Sequence, residues 1–282
     1  MRRVRQPGPA EAARAVAVPA RAIPIEAELA PGRPLLDALH GLIATCGAET
    51  ACLSLADGRL DPFGYVMPAV SPDAAHAAWY SAPRHPAGGA AWQQGAVTVG
   101  WRKGAPFFHC HGIWTEAAGA RGGGHVLPEH AVIAAPMRAR GLGLAGARFV
   151  TVDDAETGFH LFQPVASGDV AAPDALALRL RPNQDITLAL EELGRAAGFT
   201  GARLAGGVGS TIGARFADGR LVEPFATELF ITDAQVQCAG GAGSASHLAI
   251  GLVDMTGALA EGSLRRGDNP ILMTLEAVLA PL

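Results

Sequence analysis

Two hydrophobic rhythms run along this chain, and each occurs twice. Apolar residues at Leu35, Leu36, Leu39, Leu42 and Ile43, and again at Ile186, Leu190 and Leu193, follow the spacing of an amphipathic helix. Each helical run opens after a proline and a polar turn, at Pro31 and at Pro182. Each ends near a glycine, Gly47 or Gly198, where a helix terminus favours a left-handed residue. Strand-like runs follow at Ala51 to Leu55 and at Ala202 to Ala205. Others lie at Ala96 to Trp101, Ala131 to Ala134, Arg148 to Val152, Thr227 to Thr232 and Ile271 to Leu279, with Gly and Pro between them. The pattern predicts an α+β fold in two tandem copies, each a mainly antiparallel mixed sheet packed against one helix.

The repeat can be aligned residue by residue. Pro31 pairs with Pro182, Leu39 with Leu190, Gly47 with Gly198 and Ala51 with Ala202. Further on, the segment from His109 to Gly119 aligns with that from His247 to Gly257, and Gly124-His125-Val126 falls on Gly262-Ser263-Leu264. The copies differ in length in the middle, which implies an insertion in the first, around Ser71 to Gly95, read as a loop. The expected organisation is a tail over 1–21, a first domain over 22–165, a linker over 166–173 and a second domain over 174–282.

Composition narrows the function classes. Of 282 residues, 49% are hydrophobic and 17% charged, a globular balance. The formal net charge of −4 argues against a strong non-specific grip on nucleic acid. Cys46, Cys52, Cys110 and Cys238 form no CxxC pair and read as reduced thiols of a cytoplasmic protein. No apolar run approaches the roughly 18 residues of a membrane span, and the tail lacks the apolar segment of a secretory signal.

The sharpest chemistry lies in Phe108-His109-Cys110-His111 and Arg121-Gly122-Gly123-Gly124-His125. On a strand His109 and His111 share one face, and a hairpin through Gly119 brings His125 back beside them. Three neutral imidazoles suit Zn²⁺ with a fourth position open. The alternative is a triad held by hydrogen bonds alone. Glu116 and Glu129 are the candidate general bases, with His130 behind them. Cys110 is expected to face away, into the interior.

These motifs resemble the plant-and-prokaryote conserved (PPC) domain family, whose plant members accompany AT-hook motifs in nuclear proteins. The match rests on His109-Cys-His111, the turn from Thr115-Glu116 to Gly119, and Gly123-Gly124-His125. In the second copy it rests on Leu178 to Pro182, Gly209-Ser210, Asp254 to Gly257 and Thr274-Leu-Glu276. Together the matches span most of residues 22 to 282. The resemblance implies trimeric packing of such domains and a metal at the three histidines. Two departures qualify this. The second copy keeps His247 but has Ala249 and Ser263 at the other two histidine positions, so it is expected to hold no metal. The first copy has Arg138 where the second has Glu276.

Three readings of function follow. The first is a zinc-dependent protein, with or without catalysis. The second is a DNA-binding protein by family analogy. Gly32-Arg33-Pro34 looks like the core of an AT hook but lacks basic flanks and begins a helix, and Arg2, Arg3 and Arg5 make only a small basic tail. The third is an oligomeric scaffold or ligand sensor whose second copy is structural. Trp101 and Trp114 read as core or pocket wall, Gly209 and Ser210 as a tight turn, and Arg179 and Arg181 as exposed or interface-paired. His40, His76, His85 and His160 have no partner spacing.

Overall fold

The structure is a computed structural model that describes residues 2–239 and 245–282. Its first half contains β1 (Ala15–Leu29), α1 (Leu35–Thr45), β2 (Thr50–Ala56), β3 (Arg59–Val66), β4 (Pro68–Ala69) and β5 (Trp79–Tyr80). It continues with β6 (Ala90–Arg102), β7 (Ala105–Glu116), β8 (Arg121–Ala135), β9 (Met137–Ala145), β10 (Ala147–Asp153) and β11 (His160–Ala166). The second half contains β12 (Ala175–Leu180), α2 (Ile186–Ala196), β13 (Gly201–Arg215) and β14 (Leu221–Gln237). It ends with β15 (His247–Asp254), β16 (Leu259–Ser263) and β17 (Ile271–Pro281).

The α+β expectation is corrected by this element list. Among the described residues 60% are in strands and 8% in helices, and fifteen strands belong to one large, almost entirely antiparallel sheet, so the protein is mostly β. The helical stripes are real but short, at 11 residues each. The strands are longer than they read because glycine and alanine fill many of their positions. Gly201–Arg215 and Arg121–Ala135 look punctuated in sequence yet run as single 15-residue strands. The Ser71 to Gly95 stretch, expected to be a loop, carries β5 paired to β4 and the start of β6. No helix among the described residues is long and apolar enough to cross a membrane.

The two halves use the same strand order. In the second it runs β12-β17-β13-β14-β15-β16; in the first, β1-β9-β2-β6-β7-β8. The first half adds β3, which bridges β6 and β8 and closes β6, β7, β8 and β3 into a ring. β1 joins the halves: Ala15 to Ala20 pair with β12, and Arg21 to Leu29 pair with β9.

Alternation along the strands separates the layers. Leu176, Leu178 and Leu180 of β12 face α2, whereas Ala175 and Ala177 face the first half. On β17, Leu275, Ala277 and Leu279 face α2, and Val278 and Ala280 face the first half. α1 covers a separate core with Leu53, Val97, Cys110 and Trp114. The two halves of the large sheet, continuous through β1, therefore pack face to face between two outer helices. Small apolar clusters fill that interface, one of them Ala96, Ile113, Val208 and Phe230. Burying each large side chain contributes about 1.5–3 kcal/mol.

Charge is also buried near this interface. Arg179 and Arg181 both donate to Asp154 Oδ2 at 2.6 Å, and Thr157 donates to Oδ1 through its amide and hydroxyl. Arg179 is completely buried. Arg179 beside Asp154 helps hold that carboxyl below its ordinary range, against the opposing effect of burial.

Candidate metal centre

β7 places His109 and His111 on the face that meets the second half, while Cys110 turns into the α1 core. β8 returns antiparallel, with His125 directly opposite His111. Gly124 makes that close return feasible. Its φ is +156°, and a Cβ there would lie 2.3 Å from the Val66 carbonyl oxygen.

The ring nitrogens converge. His109 Nε2 lies 3.1 Å from His111 Nε2, which lies 3.2 Å from His125 Nδ1. One ligand atom from each histidine falls within 4.8 Å of the others. The second half orients two of the rings. His111 Nδ1 lies 3.0 Å from the Leu229 carbonyl oxygen, which can only accept, so Nδ1 carries the proton and Nε2 a lone pair. His109 Nδ1 lies 2.6 Å from Glu276 Oε2, which likewise turns its Nε2 inward. The two Nε2 atoms face each other at 3.1 Å, and in the neutral rings both present a lone pair to the same point.

That arrangement fits a metal ion. Tetrahedral ligands at about 2.0–2.1 Å from zinc stand about 3.3 Å apart, close to the two nitrogen separations here. Burial holds His111 well below the ordinary histidine range, reinforced by His109 and His125, and burial followed by His109 does the same to His125. Both rings are therefore neutral donors near pH 7.

Residues distant in sequence complete the surroundings. Glu228 Oε1 lies 3.8 Å from His111 Nε2, and its Oε2 is buried with no hydrogen-bond partner among the described residues. Burial pushes this carboxyl well above its usual range. Tyr80, from the stretch expected to be a loop, packs its ring 5.4 Å from that of His125. Burial, followed by Glu228 and Glu276, raises its phenol. Two cavities reach the histidines. One of about 50 Å³ lies beside Glu228, Ser210 and Thr227; one of about 320 Å³ opens past His109 and His125.

The other sequence candidates fall elsewhere. Glu116 lies at the end of β7 and accepts from Tyr65 O–H at 2.7 Å, and Glu129 and His130 are exposed on β8. His130 packs against His85. Trp114 is fully buried in the α1 core, and Trp101 donates to the Glu49 carbonyl. Sequence spacing gave no hint that Glu228 and Tyr80 belong here. A usable signal was present: Glu228 and Glu276 are isolated acids inside apolar strand runs, and a buried acid requires a partner.

No family model matches this sequence, and no curated protein matches it significantly. Solved structures do show similarity. A PPC protein from Pyrococcus horikoshii is 16% identical over 56% of this chain and 97% of its own, with a TM-score of 0.39. A protein from Archaeoglobus fulgidus described as metal-containing is 19% identical, covering 52% of this chain and 98% of its own, at 0.41. A candidate DNA-binding protein from Ralstonia eutropha is 16% identical, covering 49% and 89%, at 0.34. The first bears the family name suggested by the His109-Cys-His111 and Gly123-Gly124-His125 motifs.

Proposed function

We propose that this is a metal-dependent protein whose centre is held by His109, His111 and His125 of a first domain (22–165) and completed by a second domain (174–282) across the linker 166–173. Zinc is the ion that best suits three neutral imidazoles. The observation behind this reading is the pair of inward-facing Nε2 atoms of His109 and His111, 3.1 Å apart, with their rings oriented by Glu276 and by the Leu229 carbonyl.

Bound zinc supplies Lewis acidity and lowers the pKa of a water or ligand group. The protein's own groups do the rest. Glu276 keeps the His109 ring oriented. Glu228, whose carboxyl burial pushes well above its usual range, is the group beside His111 placed to give or take a proton, at Oε1. Tyr80 shields the His125 side from bulk water. Glu116 and Glu129 have no such position, and the general-base role is not assigned to them.

The test is metal content by plasma mass spectrometry on purified protein, with His111→Ala and His247→Ala. Close to one ion per chain, lost in the first variant and kept in the second, is the expected result. A parent protein that takes up no zinc on addition would refute the reading.

DNA binding is the second reading, and the description of similar structures such as that from Ralstonia eutropha is what favours it. The local geometry at the hook-like tripeptide does not add to it. Gly32 N donates to the Ile133 carbonyl and Ile133 N to that of Arg33, which fastens Gly32-Arg33-Pro34 into the turn before α1. Fluorescence anisotropy with an A·T-rich duplex across a salt series tests it. For self-association, trimeric packing of the domains is the expectation, and light scattering on the purified chain checks it.

A further inference from the structure

The cavity of about 320 Å³ in front of His109 and His125 is large enough for a small organic molecule. Its walls are mostly flat rings: Phe107, Phe159, Phe162 and Trp79. Phe159 lies against Trp79, with centroids 5.2 Å apart, and Phe107 against Phe162, at 5.8 Å. Such paired walls suit a planar or compact apolar body.

The charges around this cavity are uneven. Arg102 lines it with its guanidinium 5.1 Å above the Phe107 ring, and it makes no ion pair among the described residues. Glu276, the acid at the cavity floor, is already engaged by His109 and Thr274. His160, on the wall, is engaged by Asp153. The uncommitted charge is therefore positive, and a guanidinium held over a ring is set to receive a carboxylate. The adjoining smaller cavity shares Trp79, Tyr80 and Phe159 but differs in its polar lining: Glu228, Ser210 and Thr227 border only about 50 Å³, room for water or a very small group.

From these features we propose that the larger cavity binds a small aromatic carboxylic acid. Its carboxylate pairs with Arg102, its ring lies among Trp79, Phe107 and Phe159, and its far end points to His109 and His125. This rests on the metal-centre reading for what happens at the far end, but not for binding itself.

The experiment is isothermal titration of the full chain with benzoate, acetate and benzyltrimethylammonium. Metal content is measured on the same samples, before and after chelation. Benzoate is expected to bind, at least about tenfold more tightly than acetate. Arg102→Met and Trp79→Ala, both at exposed positions, are each expected to weaken benzoate about tenfold. Tighter binding of the ammonium than of benzoate would overturn the proposal. So would equal binding of acetate and benzoate, or benzoate affinity unchanged in Arg102→Met. Arg102-dependent benzoate binding in a protein that never takes up metal would uphold the cavity and reject the metal centre. Metal without benzoate binding would do the reverse.

Discussion

The β7–β8 and β15–β16 hairpins occupy the same place in the two halves, yet of the two only the first brings three histidines together. His111 stands opposite His125 in the first; Ala249 stands opposite Ser263 in the second. The leading histidines differ as sharply. The His109 side chain is 13% exposed and donates to Glu276, whereas that of His247 is 48% exposed, 3.7 Å from Asp233 and 3.5 Å from Ser263 Oγ. What separates them is also the cover. β13, β14 and β17 lie over the first hairpin, and Tyr80 closes its side, so its imidazoles are desolvated and held. A histidine cluster is suited to hold a metal when a second surface removes water and fixes the rings.

The ladder around Glu276 shows the same division. Glu276 pairs with Arg179 across β17 and β12; at the matching position of the first half, Arg138 pairs with Glu28 across β9 and β1. The charges are exchanged between copies. In the second half the acid points into the interface and serves His109; in the first the arginine points outward to Asp57.

This contrast can be broken at several strengths. The largest effect is expected from His111→Ala, which removes the central donor and should abolish metal retention through gel filtration, read by mass spectrometry. Next comes Asp154→Ala, which leaves Arg179 and Arg181 buried without their carboxylate and should cost about 3–5 kcal/mol in urea unfolding. Because the folded-state Asp154 carboxyl is held below its ordinary range, this stabilisation is present above about pH 4. It is lost as pH falls further, so the wild-type advantage should shrink between pH 5 and pH 2, in about the range expected for a paired Asp. Glu276→Gln keeps the shape but weakens the orientation of His109, and about a 10–100-fold loss in zinc affinity is expected in a chelator competition. The smallest effect belongs to His247→Ala, exposed in the second hairpin. Metal content should not change, and unfolding should shift by less than about 0.5 kcal/mol. A metal loss there would erase the distinction between the hairpins.

Much of this was legible in the residues, for identifiable reasons. Strand alternation put His109 and His111 on one side, and the glycine run before His125 marked a tight return. Helix periodicity located both helices, and Gly47 and Gly198 do take positive φ just beyond them. The fold class was not legible, because strands such as Gly201–Arg215 alternate among alanine, glycine and serine, where inside and outside look alike. Glu228 and Tyr80 were hidden for a different reason. Each reaches the histidines through tertiary packing, more than a hundred residues away in one case, and spacing carries no record of that contact.

The double pairing of β1 has a consequence for any attempt to divide the chain. Ala15 to Ala20 finish the sheet of the second half although they precede the first. A fragment beginning after the 167–174 connection would expose the full length of β12 as a bare, apolar edge, an invitation to aggregate. A fragment ending there would carry a dangling half-strand and a histidine cluster without its acid. Each half thus completes the other, as in a fused dimer that has exchanged an arm: the first lends a strand to the sheet of the second, and the second lends an acid to the histidines of the first.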